Sequence, residues 1–175
     1  MGLKSKTLLV GIEAGTVIKM LNKAYADEWL AAFQYQTAAL QVTGINRKSL
    51  EKELCEHARE EYEHALKLAQ RIQELGGTVL LTPEEIIKEA NCAYIKPGDA
   101  CAMKIVEQTI ASEQCAISVY KRIMEETCQK DVMTFQLATE IMKEELEHEE
   151  EFQNFREDIQ HFFDKVREHG IGCSR

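Results

Sequence analysis

The chain has 175 residues, 45% of them hydrophobic and 29% charged, enough for one soluble domain with its own core. Lys and Arg number 21 against 30 Asp and Glu, a formal charge of −9 that disfavours a nucleic-acid backbone as partner. Two prolines and nine glycines are too few for many short strands and favour long helices.

No membrane or secretory segment is expected. The apolar run Leu8-Leu9-Val10 after Lys4 and Lys6 stops at Gly11, too short for a signal core, and no stretch approaches a membrane span. The compartment is therefore read as cytoplasmic and reducing. Cys55, Cys92, Cys101, Cys115, Cys128 and Cys173 contain no C-x-x-C pair, which excludes a zinc module and leaves the thiols free by default.

Four long helical segments follow in chain order. The first spans about Gly15 to Val42, where Val17, Ile18, Leu21, Ala24, Tyr25, Leu30 and Phe33 recur at helical spacing before Gly44. The second starts near Asn46, read as its N-cap, and runs to Leu75, with Gly76-Gly77 as a left-handed stop. The connection from about Thr78 to Gly98 holds a helix-start signature: Thr82 caps, Pro83 takes the first helical position and Glu85 closes a capping box. It predicts a short helix over about Pro83 to Ala90. The third long helix is placed from Asp99, after Pro97-Gly98, to about Cys128. The fourth opens near Asp131 and reaches Phe155 or beyond. Short links near residues 45 and 130 make two antiparallel hairpins, and the long connection lets the second and third helices run parallel. The expected fold is all-α, a four-helix bundle with one long crossover carrying a short helix.

Two Glu-x-x-His motifs stand out, Glu61 with His64 and Glu145 with His148. Residues three apart lie on one helix face, so each pair can ligate one metal or bridge two. Alone this motif is weak in a chain so rich in glutamate. A second layer of order strengthens it. Glu28 precedes Glu61 by 33 residues and Glu113 precedes Glu145 by 32; each is followed seven residues later by a tyrosine, Tyr35 and Tyr120. Each half thus reads as a helix with Glu and Tyr, a short turn, and a helix with Glu-x-x-His, a quasi-twofold repeat. Together the halves bring four carboxylates and two imidazoles to the bundle centre. Ala31, Ala32 and Phe33, and Ala116, Ile117 and Val119, mark the faces around Glu28 and Glu113 as buried. Four buried glutamates repel unless cations or protons neutralise them. Hard oxygen with two imidazoles suits iron, with manganese as the alternative, over copper or structural zinc. The plainer reading is solvated glutamates and surface histidines; the repeated spacing and order argue against it for the six jointly.

His57, seven residues before His64, lies near the same face, either behind the ligands or on a path for iron, or as a simple core or solvated residue. Tyr35 and Tyr120 either hydrogen-bond ligand carboxylates or simply pack. By position alone Cys115 is a small core hydrophobe, and the same reading applies to Cys55, Cys101, Cys128 and Cys173.

These residues resemble the ferritin superfamily over about residues 15 to 156. Asp27-Glu28-Trp29-Leu30-Ala31-Ala32-Phe33-Gln34-Tyr35 is similar to the first-helix motif of bacterioferritins, and Glu61-x-x-His64-Ala65 and Glu144-Glu145-x-x-His148 are similar to those of its second and fourth helices. The resemblance implies six metal ligands, Glu28, Glu61, His64, Glu113, Glu145 and His148, with Glu61 and Glu145 bridging, and two iron ions per subunit. Tyr62 stands where bacterioferritins carry a haem-ligating methionine, so no haem is expected, and no rubredoxin module is present.

The short crossover helix, Asn91-Cys92-Ala93-Tyr94 and Glu113-Gln114-Cys115-Ala116-Ile117 resemble the Dps-like thioferritins. That resemblance implies a bacterioferritin-type dimetal site in a Dps-type shell of twelve subunits. It also implies a cysteine pair, Cys92 and Cys115, beside the metals, able to form a disulfide or pass electrons. The implied protein is one ferritin-like domain over 1–175, with a bundle at about 15–156 and an extension at about 157–175 that either continues the last helix or forms a fifth. The implied activity is a ferroxidase that oxidises ferrous iron with hydrogen peroxide or dioxygen, stores ferric iron in a homo-oligomeric shell and protects against oxidative stress. The rivals are a non-storing dimetal peroxidase (rubrerythrin-like or manganese-catalase-like) and a structural bundle with adventitious metal.

Overall fold

The computed structural model describes residues 5–96 and 100–169, with side chains described from Thr7 onward. Lys4, Pro97, Gly98, Asp99 and Cys173, which carry expectations above, lie outside the described residues. After a 3-10 turn at Ser5–Leu8 come α1 (Ala14–Gln41), α2 (Arg47–Glu74), α3 (Pro83–Glu89), α4 (Ala102–Thr127) and α5 (Val132–Glu168). α1 with α2 and α4 with α5 form two hairpins, and α3 sits within the crossover between them.

Local chemistry explains most boundaries. Thr82 and Glu85 make the full capping box at α3, with Pro83 opening the helix. After α2, Gly76 adopts φ +76°, and the N–H groups of Gly76 and Gly77 donate to Gln73 and Ile72, closing the last turn. Gly77 is also a close approach: a Cβ there would meet the Ile18 side chain at 2.7 Å. Asp131 caps α5, its carboxylate accepting from the Thr134 N–H, and it also receives two bonds from Arg71 of α2, at 2.8 and 3.1 Å. This buried pair joins the two hairpins at one end.

Two boundaries differ from expectation, and a third, left open, is decided. Asn46 precedes α2 in the left-handed conformation (φ +59°), and its side chain caps nothing. α4 opens at Ala102 because the chain before it is extended: Thr43 donates to the Ala100 carbonyl at 2.7 Å and accepts from Ala102 N–H at 3.2 Å. Among the described residues the segment from 157 continues the last helix, α5 running unbroken to Glu168.

α1 also tethers the crossover. Asn22 bonds Thr78 and Leu80, Asp27 accepts from Asn91 and from Cys92 N–H, and Gln34 accepts from Ile95 N–H. Asp27 and Gln34 are buried yet satisfied, as polar groups inside a protein must be.

The core divides in two. Toward one end Leu50, Leu54, Ile105, Val106, Ile110, Phe152 and Ile159 pack together. Toward the other, Val17, Leu21, Leu68, Ile72, Leu75, Ile123 and Ile141 do so. Burying each such side chain stabilises by about 1.5–3 kcal/mol. A layer of buried charge lies between the two clusters.

Candidate metal centre

Glu28 (α1), Glu61 and His64 (α2), Glu113 (α4), and Glu145 and His148 (α5) are all at most 6% exposed. All six side chains that the sequence singles out meet in the charged layer. They fall into two overlapping groups whose ligand atoms lie within 4.8 Å of one another: Glu28, Glu61, His64 and Glu145, and Glu61, Glu113, Glu145 and His148. Glu61 and Glu145 belong to both, which is the geometry of bridging carboxylates. Glu28 with His64 and Glu113 with His148 flank them.

The histidines point inward through Nδ1. His64 Nδ1 lies 3.0 Å from Glu145, 3.3 Å from Glu61 and 3.7 Å from Glu28. His148 Nδ1 lies 3.5 Å from Glu61 and 3.8 Å from Glu145. Each Nε2 points out to a carboxylate on the opposite hairpin: His64 to Glu144 at 2.7 Å and His148 to Glu60 at 3.1 Å. A ring whose Nε2–H donates to an outer carboxylate presents a bare Nδ1 to the centre.

The tyrosines cross in the same way. Tyr35 donates to Glu113 Oε1 at 2.6 Å, and Tyr120 donates to Glu28 Oε1. Each half therefore orients the other half's terminal glutamate, so the quasi-twofold order of the sequence is also an order of hydrogen bonds. Both phenols are held protonated, their pKa raised well above the usual value by burial and by the neighbouring glutamate charge.

Burial and mutual repulsion shift the charged groups of the centre strongly. Burial, then the Glu28 charge, raises Glu61 well above the ordinary carboxylate range; burial, then Glu145, does the same to Glu113. Glu145 is pushed up to about 8 by burial and by Glu61 and Glu28. Burial also works to raise Glu28, but hydrogen bonds with His64 and Glu61 carry it below its usual value. Burial disfavours a charged His64, yet Glu145, Glu28 and Glu61 overcome this and raise it far above a normal histidine. Glu61 Oε1, both oxygens of Glu145 and Nδ1 of His148 are buried without a well-aligned hydrogen bond, although His64 Nδ1 lies 3.0 Å from Glu145 Oε1. Unpaired acceptors of this kind cost several kcal/mol unless a cation receives them. Oxygen-rich donors with one imidazole per group suit iron or manganese.

Other candidates resolve unevenly. His57 is buried, stacks on His148 at 4.2 Å between ring centroids and contacts Glu151 at 2.9 Å. Burial and His148 lower its pKa to about 3, so the ring is neutral. Cys92 and Cys115 are joined in a disulfide with Cα atoms 6.0 Å apart, against the default of free thiols. Cys55, Cys101 and Cys128 are exposed, not core hydrophobes. Phe33 also faces outward at 59% exposure and packs against Tyr94 of the crossover.

Glu60 was missed in the sequence, and Asp27, Gln34 and Glu144 were quoted there only as parts of motifs, with no role assigned. The repeated Glu-Glu-x-x-His, with Glu60-Glu61 matching Glu144-Glu145, was the available signal for Glu60 and Glu144. Asp27 adjoins Glu28, and its carboxyl is raised to about 6 by burial, against the bonds from Cys92 and Asn91. The side chains lining a small cleft at the centre include Cys92 together with Glu28, Glu61, Glu113 and Glu145.

The ferritin-like domain model matches residues 18–162. A DNA protection during starvation protein from Pyrococcus furiosus is 34% identical over 146 residues, covering 82% of this chain and 78% of that protein. A bacterioferritin from Desulfovibrio desulfuricans is 29% identical over 150 residues, covering 85% and 78%. Among solved structures, a dodecameric, bacterioferritin-related thioferritin from Bacteroides fragilis superposes with a TM-score of 0.86 at 37% identity, covering 88% of this chain and 92% of that one.

Proposed function

This chain belongs to the ferritin-like family, and from that premise we propose that Glu28, Glu61, His64, Glu113, Glu145 and His148 hold two iron ions and that the protein is a ferroxidase. The observation that carries the reading is the sharing of Glu61 and Glu145 between two overlapping ligand groups of buried side chains, with Glu61 Oε1 turned to no donor. Glu61 and Glu145 would serve both ions, and Glu28 with His64 and Glu113 with His148 would complete one site each. Manganese fits the same donors.

Each residue's part follows from its contacts. The four carboxylates supply negative charge equal to that of two divalent ions and favour the ferric state as charge builds. Glu144 and Glu60 hold the imidazoles with Nδ1 inward, and Tyr120 and Tyr35 fix the terminal carboxylates, so the site keeps its shape when loaded. The two apolar clusters exclude water on either side. Bound iron supplies the one-electron chemistry that side chains lack: two ferrous ions, one hydrogen peroxide and two protons give two ferric ions and two waters.

The finer reading is that hydrogen peroxide is the preferred oxidant, that ferric iron is stored in a hollow homo-oligomer of twelve subunits, and that removing both substrates limits oxidative damage. The dodecameric thioferritin supports the shell by similarity. Residues 1–175 are read as one domain. Among the described residues no helix is long and apolar enough to cross a membrane; a cytoplasmic store is part of the proposal. Neither haem nor nucleic acid belongs to this reading.

Anaerobic protein loaded with two ferrous ions per chain, then given one equivalent of peroxide, tests it. All the iron is expected to become ferric and to co-elute with a particle of many subunits. Iron that stays ferrous contradicts the ferroxidase. Peroxide consumed without retained iron, at the native mass of a dimer or tetramer, replaces storage with a peroxidase.

A further inference from the structure

The Cys92–Cys115 disulfide stands between two openings. Cys92 lines the small cleft shared with the four central glutamates. Cys115 lines a separate groove of about 610 Å³ between α1, α4 and the crossover. One cysteine of the bridge therefore lines the inner cleft and the other the groove outside.

That groove is unlike the rest of the molecule. Lys19 and Lys23 of α1 and Arg122 of α4 line it against one carboxylate, Glu126, although the whole chain carries a charge of −9. Among the described residues none of these three cations makes an ion pair. Met20, Val119 and Ile123 add apolar lining. Unpaired cations over an apolar surface, with a half-buried sulfur alongside, select a small molecule that carries both an anionic group and an aliphatic thiol.

We propose that this groove binds an anionic low-molecular-weight thiol, which reduces the disulfide by attack on Cys115. The proposal goes beyond the ferroxidase reading. The thiolate of the bound molecule forms a bond to Cys115 Sγ as the Cys92–Cys115 bond breaks. Cys92 Sγ leaves as a thiolate and takes a proton from water. A second thiolate attacks the small-molecule sulfur of the mixed disulfide, releasing a symmetrical disulfide and the Cys115 thiolate, which is protonated in turn. Two thiols are oxidised, one protein disulfide is reduced, and two electrons are delivered to the wall of the cleft that faces the glutamates. The cations set the substrate class by raising the local concentration of anions; a cationic thiol is repelled.

The test uses metal-free, full-length protein in its native assembly, so its outcome is independent of iron oxidation. Disulfide reduction is followed by alkylation and mass spectrometry with 2-mercaptoethanesulfonate and with cysteamine, rates being normalised to thiolate concentration. The anionic thiol is expected to react about tenfold faster at low salt, to saturate, and to lose this advantage in high salt. The trapped mixed disulfide is expected at Cys115. Lys19→Glu with Lys23→Glu and Arg122→Glu is expected to reverse the preference, and the milder Gln series, checked by thermal melting, to abolish it. Equal normalised rates, an adduct on Cys92, or discrimination that survives charge removal overturns the proposal. So does a disulfide that only a protein dithiol reduces, or purified, unreduced protein in which Cys92 and Cys115 titrate as free thiols.

Discussion

At the residue scale, the centre depends on side chains that never touch its middle. His64 Nε2 is held by Glu144 on α5, and Glu144 also meets Lys67 at 3.3 Å. Removing such a partner lets the ring rotate and weakens Nδ1 as a donor. Glu144→Ala is expected to lower metal affinity by about 10- to 100-fold in a calorimetric titration while the fold persists. Unchanged affinity would mean that His64 is fixed by packing alone. The glutamates themselves make the metal-free protein sensitive to pH. Glu145 rises from 4.5 to about 8, so its protonated form stabilises the fold fully below 4.5, and this stability is lost as pH climbs toward 8. His64, also raised, works in the same direction above 6.5. His57, lowered to about 3, opposes it only below 6.5. Between pH 6.5 and 8 the melting temperature of metal-free protein is therefore expected to fall, and added ferrous or manganous ion to restore it. A rising melting temperature over that window would contradict the charge layer. The six central residues were legible because spacing and order repeat along the chain. Glu60 was not recognised because its partner His148 is 88 residues away and comes near only when the hairpins pack. Asp27 escaped for the same reason, as its partners lie on the crossover.

At the element scale, the strongest local device is the join between Arg71 and Asp131. Both are buried, and Arg71 also donates to Thr134 at 3.0 Å while Thr134 donates to Asp131 at 2.5 Å. Asp131→Ala leaves the buried Arg71 guanidinium with only Glu74, at 3.0 Å, and Thr134 as partners, and uncaps α5 at the same time. A loss of about 3–5 kcal/mol in denaturant unfolding is expected, with metal content retained at low temperature. A loss under about 1 kcal/mol would show that the pair is solvated. Elements with local signals were read closely: the Thr82 box placed α3, and Gly76 placed the end of α2. The start of α4 was not, because pairing with Thr43, a non-local contact, keeps residues before Ala102 extended. Asn46 misled for a related reason: the tight turn after Gly44 demands a left-handed residue, and asparagine serves that role at the cost of its cap.

At the scale of the whole molecule, the arrangement is a charged layer held between two apolar ends by two crossed hairpins. Helix packing supplies stability from the ends, which allows the middle to be unfavourable until cations arrive. The single crossover matters to this plan. It is tethered to α1 by Asn22, Asp27 and Gln34, and it carries Cys92 to the mouth of the glutamate cleft. The fold class followed from helical periodicity and scarce proline. The disulfide did not, since position alone makes Cys115 a core residue; only the family resemblance pointed to the pair. Phe162 and Phe163 remain 45% and 43% exposed at the far end of α5, an apolar surface that accords with the proposed assembly.

In the proposed centre Glu61 and Glu145 serve two ions at once. Anaerobic ferrous titration of the wild type, the Glu28→Ala variant and the Glu61→Ala variant measures this most directly, with bound iron counted per chain. Two ions are expected in the wild type, weakening of one in Glu28→Ala, and loss of both together in Glu61→Ala, whose metal-free fold is expected to melt no lower than the wild type. Two ions still bound tightly by Glu61→Ala, or fewer than two in the wild type, would contradict it.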